Sequence, residues 1–247
     1  DVYKRQALVG AGCGSYELIT LKGLSEIRRA EVIVYDDLID EHLLEFAQES
    51  CELIYAGKRS GRHSKAQEEI NELLVAKALE GKYIVRLKGG DPYVFGRGGE
   101  EALALKAHGI PVHEVPGVTS SIGLCGIAGI PVTHRGASRG FHVITGHTAD
   151  NLPPEVEEIR WKSYAKLDET FVFLMGLKSI DMITEKLMRY GKLSDTPVAV
   201  IHGENTDGTY VKLVGTLSDI AAKVKEVDFP SPAIIVVGEV ASLELTD

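Results

Sequence analysis

Between residues 85 and 101 an apolar run gives way to five glycines, an aspartate and a proline before a helical pattern begins: Val85-Arg-Leu-Lys-Gly-Gly-Asp-Pro-Tyr-Val-Phe-Gly-Arg-Gly-Gly-Glu-Glu101. Glycine lets backbone N–H and C=O groups approach another molecule closely and admits positive φ. An ordinary turn needs one or two such positions, not five with charges between them. The segment therefore prescribes a strand, a broad loop and a helix at 98–108, in that order. Open α/β sheets bind their ligands at the carboxyl ends of strands, where this loop would sit. Its cations, Arg86, Lys88 and Arg97, suit an anionic ligand.

β-Type runs alternate with helical periodicity along the rest of the chain, which predicts α/β architecture with largely parallel strands. Strands are expected at 7–10, 32–35, 52–55, 83–87 and 112–115, with helices at 16–30, 41–48 and 66–80. Pro116-Gly117 punctuates the chain. A second series follows: a helix at 120–128, strands at 142–145, 170–175, 197–201, 210–214 and 233–237, and a helix at 179–190. Residues 150–167 hold Pro153-Pro154 and the only tryptophan, and read as an irregular excursion. The expectation is two α/β lobes, 1–116 and 117–247, with mostly parallel sheets and a ligand cleft between them. Lys4-Arg5-Gln6 stands where a first strand ought to be apolar, so that strand is expected to begin at Ala7.

Composition excludes several classes of partner. The longest apolar runs, such as 233–237, are strand-sized, and a membrane-spanning helix needs about 20 residues. The polar beginning carries no signal-peptide pattern. Cys13, Cys51 and Cys125 lack the spacing of a zinc site or disulfide framework, which favours a reducing cytoplasm and no metal. A net charge of −9 disfavours nucleic acid. Cations nevertheless gather from Lys58 to Arg97, followed by His134, Arg135 and Arg139, which points to a small anionic ligand.

Several short motifs bear on chemistry. Val9-Gly-Ala-Gly-Cys-Gly-Ser15 follows a strand, and Asp36 ends the next one, imitating a dinucleotide fingerprint. The G-x-G-x-G spacing is incomplete, so nicotinamide binding and a plain tight turn both remain open for this loop alone. Asp36 and Asp37 close a strand where a carboxylate could act as general base or cap the next helix. Asp36 is assigned to the site and Asp37 to capping or solvent. Gly57-Lys-Arg-Ser-Gly61 sets Lys58 and Arg59 among glycines, suited to carboxylate or phosphate, and Lys58 could also donate a proton. Pro116-Gly-Val-Thr-Ser-Ser121 enters a helix with hydroxyls and unpaired N–H groups. In Thr133-His-Arg-Gly136, His134 matters through its neighbour Arg135. Hydrolase signatures are missing from the sequence.

In this order the pieces resemble the tetrapyrrole methylases across residues 7–243. The carriers are Val9-Gly-Ala-Gly, Val34-Tyr-Asp36, Gly57-Lys-Arg59, Gln67-Glu-Glu-Ile-Asn71, the 85–101 segment, Val115-Pro-Gly-Val-Thr-Ser120, Gly129-Ile-Pro-Val-Thr-His-Arg135, Thr145-Gly-His147, Met175-Gly-Leu177 and Ser231-Pro-Ala233. The resemblance implies a two-lobed fold binding S-adenosylmethionine between the lobes. It also implies transfer of two methyls to uroporphyrinogen III, at C2 and C7, through precorrin-1 to precorrin-2, in a cytoplasmic homodimer. By the same resemblance Asp36 is the proton acceptor and Lys58 the proton donor. Cofactor contacts carry over to Cys13, Gly89, Gly90, Asp91, Val94, Thr119, Ser120 and Met175, with Pro232 and Ala233 nearby and a further glycine contact at Gly203 or its neighbour Glu204. Arg86 matches an arginine lining the substrate cavity, and His134 and Arg135 join it there.

Two departures stand out. Cys13 and Ser15 replace the proline and aspartate of the family's usual Gly-Pro-Gly-Asp, and the glycine contact near His202 is out of register. The competing readings are another methyltransferase of the same fold, acting on a later corrin intermediate or a diphthamide precursor, and a non-catalytic cofactor-binding relative.

Overall fold

The computed structural model describes residues 4–57, 67–146, 152–203, 209–243 and 245. The chain forms two compact units, one running to Ser120 and the other beginning at Ser121.

In the first unit β1 (Gln6–Gly10), β2 (Val32–Tyr35), β3 (Glu52–Tyr55), β4 (Ile84–Lys88) and β5 (Val112–Val115) are ordered β3-β2-β4-β1-β5. Every neighbouring pair is parallel. Side chains alternate between the two faces of a strand, and both faces are covered, which is why these strands are so apolar. On one face Val9, Ile33, Val85 and Leu87 pack against Ile27 of α1 (Leu21–Arg29) and against Leu43. On the other, Val32, Val34 and Ile84 meet Ile70, Leu74 and Ala78 of α2 (Gln67–Leu79) and Leu105 of α3 (Gly98–Ala107). The chain leaves β1 toward β2 and the β3 edge, but leaves β4 toward β5 at the opposite edge. The two central loops thus flank a topological switch point.

Local chemistry moves some boundaries. The helix expected at 16–30 is split into a 3₁₀ turn, Tyr16–Leu18, and α1, because Thr20 Oγ1 accepts from Gly23 N at 3.0 Å and caps a fresh helix. The segment expected as a helix at 41–48 is a 3₁₀ stretch, Glu41–Phe46, capped by Asp40. β1 begins at Gln6, not Ala7. Gln6 is buried with its amide paired: Nε2 donates to Lys4 O and Lys82 O, and Oε1 accepts from Ile84 N.

The second unit contains most of α4 (Ser120–Ile127), then β6 (Phe141–Thr145), α5 (Pro154–Lys166), β7 (Thr170–Leu174), α6 (Ile180–Arg189), β8 (Pro197–Gly203), β9 (Tyr210–Thr216), α7 (Ile220–Glu226) and β10 (Ile234–Val237). Its sheet is ordered β6-β7-β10-β8-β9. Here the strand directions differ from the expectation of mostly parallel sheets: β6 and β7 are parallel, but β10 is antiparallel to β7 and β8, and β8 to β9. The stretch between β8 and β9 is too short for a parallel crossover, which takes about a dozen residues or more. That signal was present in the strand spacing. The supposed excursion at 150–167 contains α5, with Pro154 in its first turn. Trp161 and Ala165 bury one face of it, the indole stacked on Phe173 at 6.2 Å with 10° between planes. The sequence reading also passed over α7, whose buried Ile220 and Val224 are one turn apart.

Glu26 of α1 supplies a pH test. It is buried, and its carboxylate accepts from the Tyr83 hydroxyl, with His113 Nε2 and Arg29 each at 3.4 Å. Burial pushes its proton affinity up, but the hydrogen bonds from Tyr83 and His113 and the charge of Arg29 outweigh it. The net effect holds the carboxyl below its ordinary value of 4.5. A depressed carboxylate contributes stability above that ordinary value, and the contribution fades as pH falls through the folded value. Glu26→Gln should therefore lower Tm at neutral pH and flatten the loss of Tm in acid, read by thermal melts across the pH range. An acid slope equal to that of the unmodified protein would mean that other carboxylates carry it.

Candidate active site

Loops from four strand ends of the first sheet converge at its carboxyl edge. Three backbones nearly touch there. A Cβ on Gly117 would lie 2.1 Å from Gly90 O and 2.7 Å from Gly10 Cα, and one on Gly10 would lie 2.5 Å from Gly117 N. The β1 and β4 loops are also tied by reciprocal bonds between Gly12 and Gly90, at 3.2 and 2.7 Å. Cys13 follows directly and is buried. Asp91 fastens the same region from its side chain, accepting from Tyr93 N at 2.8 Å and from Gly117 N at 3.1 Å. Thr119 and Ser120 lie beside Gly90, their backbone atoms 3.7 and 3.9 Å from where its Cβ would be. The loop after β2 closes over Gly89, where a Cβ would sit 2.5 Å from Leu38 O. Cys13, Asp36, Gly89, Gly90, Asp91, Thr119 and Ser120 are thus brought to one edge, with Val94 half-buried in the loop.

Ser15 has a local task. Its hydroxyl accepts from Glu17 N at 3.2 Å and caps the 3₁₀ turn that follows. Nearby, burial raises the Glu114 carboxyl above its ordinary value, and the charge of Asp91 adds to the rise.

Asp36 is partly exposed, with 23% of its side chain accessible. Its Oδ1 accepts from Leu38 N at 3.1 Å and its Oδ2 from Arg86 at 2.9 Å. Asp37 accepts from the Tyr55 hydroxyl. The alternation that puts Val32 and Val34 on the α2/α3 face carries Asp36 there too, and likewise Arg86 and Lys88 after Ile84. Arg86 is 3% exposed and Lys88 5%. Both meet Glu101 of α3: Arg86 Nε and Lys88 Nζ donate to its Oε1 at 3.1 and 3.0 Å, and Gln67 Nε2 adds a third donor at 3.3 Å. Burial alone would favour discharging Arg86, but the charges of Glu101 and Asp36 more than offset it and hold the guanidinium above its ordinary value. Burial pushes Lys88 down, the Arg86 charge adds to that, and Glu101 opposes it without prevailing. Lys58 lies outside the described residues. Sequence reasoning passed over Lys88 and Glu101 as a pair. The available signal was two cations at alternate positions of an apolar strand, followed by a helix with two glutamates in its first turn.

In the second unit the β7 and β8 ends and the start of β10 share one edge, since Ile235 pairs with Phe173 and Ile234 with Ile201. Met175, Gly203, Pro232 and Ala233 gather there. Met175 is left-handed at φ 55° and 46% exposed, an unfavourable conformation for a side-chain-bearing residue and one that clusters at functional sites. Beside it Gly146 and Gly176 pack so closely that a Cβ on the first would lie 2.2 Å from the second's Cα. Gly203 is held against α4, where a Cβ would lie 2.0 Å from Leu124 Cδ2. His202 Nδ1 donates to Pro232 O at 2.7 Å, a support not foreseen from sequence. His134 and Arg135 are exposed on a turn closed by His134 and Ser138.

The family model described as Tetrapyrrole (Corrin/Porphyrin) Methylases matches residues 7–221. The chain is 50% identical over 238 residues to a uroporphyrinogen-III C-methyltransferase of Methanocaldococcus jannaschii, covering 96% of each. It is 47% identical to one of Priestia megaterium, over 95% of this chain and 97% of that one. Among solved structures it is similar to a uroporphyrin-III C-methyl transferase from Thermus thermophilus complexed with S-adenyl homocysteine: TM-score 0.79, 38% identity, 96% of this chain and 98% of that one.

The close backbone crossing gives a direct test. Gly117→Ala must push Gly90 or Gly10 aside, since the new carbon would lie 2.1 Å from a carbonyl oxygen. The expected cost is about 1–3 kcal/mol, read as a lower denaturant midpoint with unchanged slope. Gly126→Ala, on α4 with nothing within 4 Å of its added carbon, is the control and should not lower it.

Proposed function

The chain belongs to the tetrapyrrole (corrin/porphyrin) methylases, and from that premise we propose that it methylates uroporphyrinogen III at C2 and C7 with S-adenosylmethionine, giving precorrin-2 by way of precorrin-1. The observation that carries this reading is near-full-length likeness to relatives bearing that activity's name, joined to a glycine-built loop edge in the first sheet.

The residues fit the cofactor by a structural criterion. Gly14, directly after Cys13, has φ 75° and nothing within 4 Å of where its Cβ would be. That is room in which a ligand can reach the backbone. The family resemblance assigns the cofactor to Cys13, Gly89, Gly90, Asp91, Val94, Thr119, Ser120, Met175, Gly203, Pro232 and Ala233. Bound there, it supplies an electrophilic methyl carried on a sulfonium. The protein's own task is then to align a carbon nucleophile and handle protons, and alignment alone supplies roughly 7–11 kcal/mol in well-oriented systems. Asp36 is the proton acceptor in this reading. Its carboxylate is fixed at both oxygens yet open to solvent on one side. Lys58 is the proton donor by the family resemblance; the residue before it in sequence, Gly57, has a would-be Cβ 2.9 Å from Asp37 Oδ2. His134 and Arg135 are exposed cations or donors suited to the substrate's acetates and propionates. A homodimer and a cytoplasmic location belong to the same reading, supported by the family resemblance and by three cysteines that form no disulfide.

Anaerobic incubation with uroporphyrinogen III and S-adenosylmethionine should add the mass of two methyl groups, followed by mass spectrometry. No gain in mass would refute the assignment. Asp36→Asn should lower kcat at least about 100-fold, the scale of lost general-base catalysis, while calorimetric affinity for S-adenosylhomocysteine stays within about threefold. Loss of binding together with turnover would make Asp36 structural.

A further inference from the structure

The resemblance assigns Arg86 to the substrate, but the geometry does not leave it free to bind one. A guanidinium has five N–H donors. Nε donates to Glu101 Oε1, one NH₂ group donates to Val34 O at 3.2 Å and Leu87 O at 3.0 Å, and the other donates to Asp36 Oδ2. A single donor is left, on a side chain 4% exposed. A bidentate grip on a substrate carboxylate needs two donors side by side. Asp36 is therefore the partner that Arg86 serves.

Behind Arg86 the arrangement is over-determined. Glu101 is 0% exposed, and its Oε1 collects Arg86, Lys88 and Gln67. Gln67 is tied in turn to Asn71 at 3.1 Å. The cluster holds two carboxylates, Asp36 and Glu101, and two cations, Arg86 and Lys88, so its charges balance. Burying such a set is a poor route to stability, because apolar residues of equal volume do as well or better. What it does provide is a fixed direction. The Asp36 carboxylate is held by the Leu38 backbone N–H and by Arg86, and Arg86 is tied to Glu101 of α3.

We propose that Arg86, braced by Glu101 and Lys88, is a positioning residue that aims the Asp36 carboxylate at the reacting carbon. This rests on the reading of Asp36 as proton acceptor. Arg86 works through that carboxylate, so its loss falls on the chemical step, and neither the cofactor nor the macrocycle loses a contact.

The experiment compares Arg86→Lys and Glu101→Gln, alone and with Asp36→Asn, measuring kcat, KM for uroporphyrinogen III and affinity for S-adenosylhomocysteine. Lysine keeps the charge but lacks the planar fork. Glutamine keeps the volume and removes the charge that orients Arg86. Each single variant should lower kcat about 10–100-fold, the scale of a misplacement near 1 Å, with KM and cofactor affinity within about threefold. In the Asp36→Asn background each should cost less than about threefold further, because the group it aims is already gone. A tenfold rise in KM at undiminished kcat would return Arg86 to the substrate and overturn the proposal. Undiminished kcat in both variants, or losses that multiply fully with Asp36→Asn, would do the same. Should Arg86→Lys fail to fold, Glu101→Gln decides by the same criteria. If Asp36→Asn itself retains full turnover, the proton-acceptor reading fails first and the positioning role falls with it. If Asp36→Asn is inactive while Arg86→Lys and Glu101→Gln are not, only the positioning role falls.

Discussion

The loop edge of the first sheet depends on backbones passing closer than side chains allow. Gly10, Gly90 and Gly117 lie at the ends of β1, β4 and β5, and no two of these loops could keep their course with a methyl group at the crossing. Contact at that range lets Gly12 and Gly90 exchange hydrogen bonds and brings Gly117 N to the Asp91 carboxylate. Each bond is modest by itself, about 0.5–1.5 kcal/mol net. Together they convert three mobile connections into one rigid floor.

Next to that floor the sheet changes character without changing its rule of alternation. Val32, Val34 and Ile84 face α2 and α3 as ordinary core. Two to four residues further along, the same face carries partly exposed Asp36 and buried Arg86 and Lys88, the two cations met by Glu101. Breaking one partner of such a set costs about 3–5 kcal/mol, because it strands a buried charge. Its partners are therefore costly to separate whether or not the set as a whole stabilises. The second unit solves its own version of the problem differently. Gly146 and Gly176 bring two strand ends together, and Met175 between them stays in a left-handed conformation that only a well-determined surrounding can hold.

Much of this was legible in the order of residues. The 85–101 segment announced a strand, a glycine loop and a helix, and the structure has all three. Alternation of apolar runs with helical patterns gave two α/β units. The end of β2 just before Asp36 was legible too, and the structure closes that strand at Tyr35. Where the reading failed, the missing information was non-local. α5 looked irregular because two prolines and many charges hide a face whose partner, Phe173, lies beyond the helix in sequence. Gln6 looked misplaced in a strand because its amide partners, Lys82 O and Ile84 N, are far along the chain.

By itself the sequence determined most of the strands and helices, since period and glycine content act over a few residues. Only the tertiary structure decided what the charges in those strands do. Arg86 reads as a cation for a substrate until β2, β4 and α3 are assembled. Then four of its donors are paired inside the protein, one of them with Asp36. The physical reason is that hydrogen-bonding capacity is finite and is filled by whichever partners the fold brings within reach, and those partners are separated along the chain by loops that carry no local trace of the pairing.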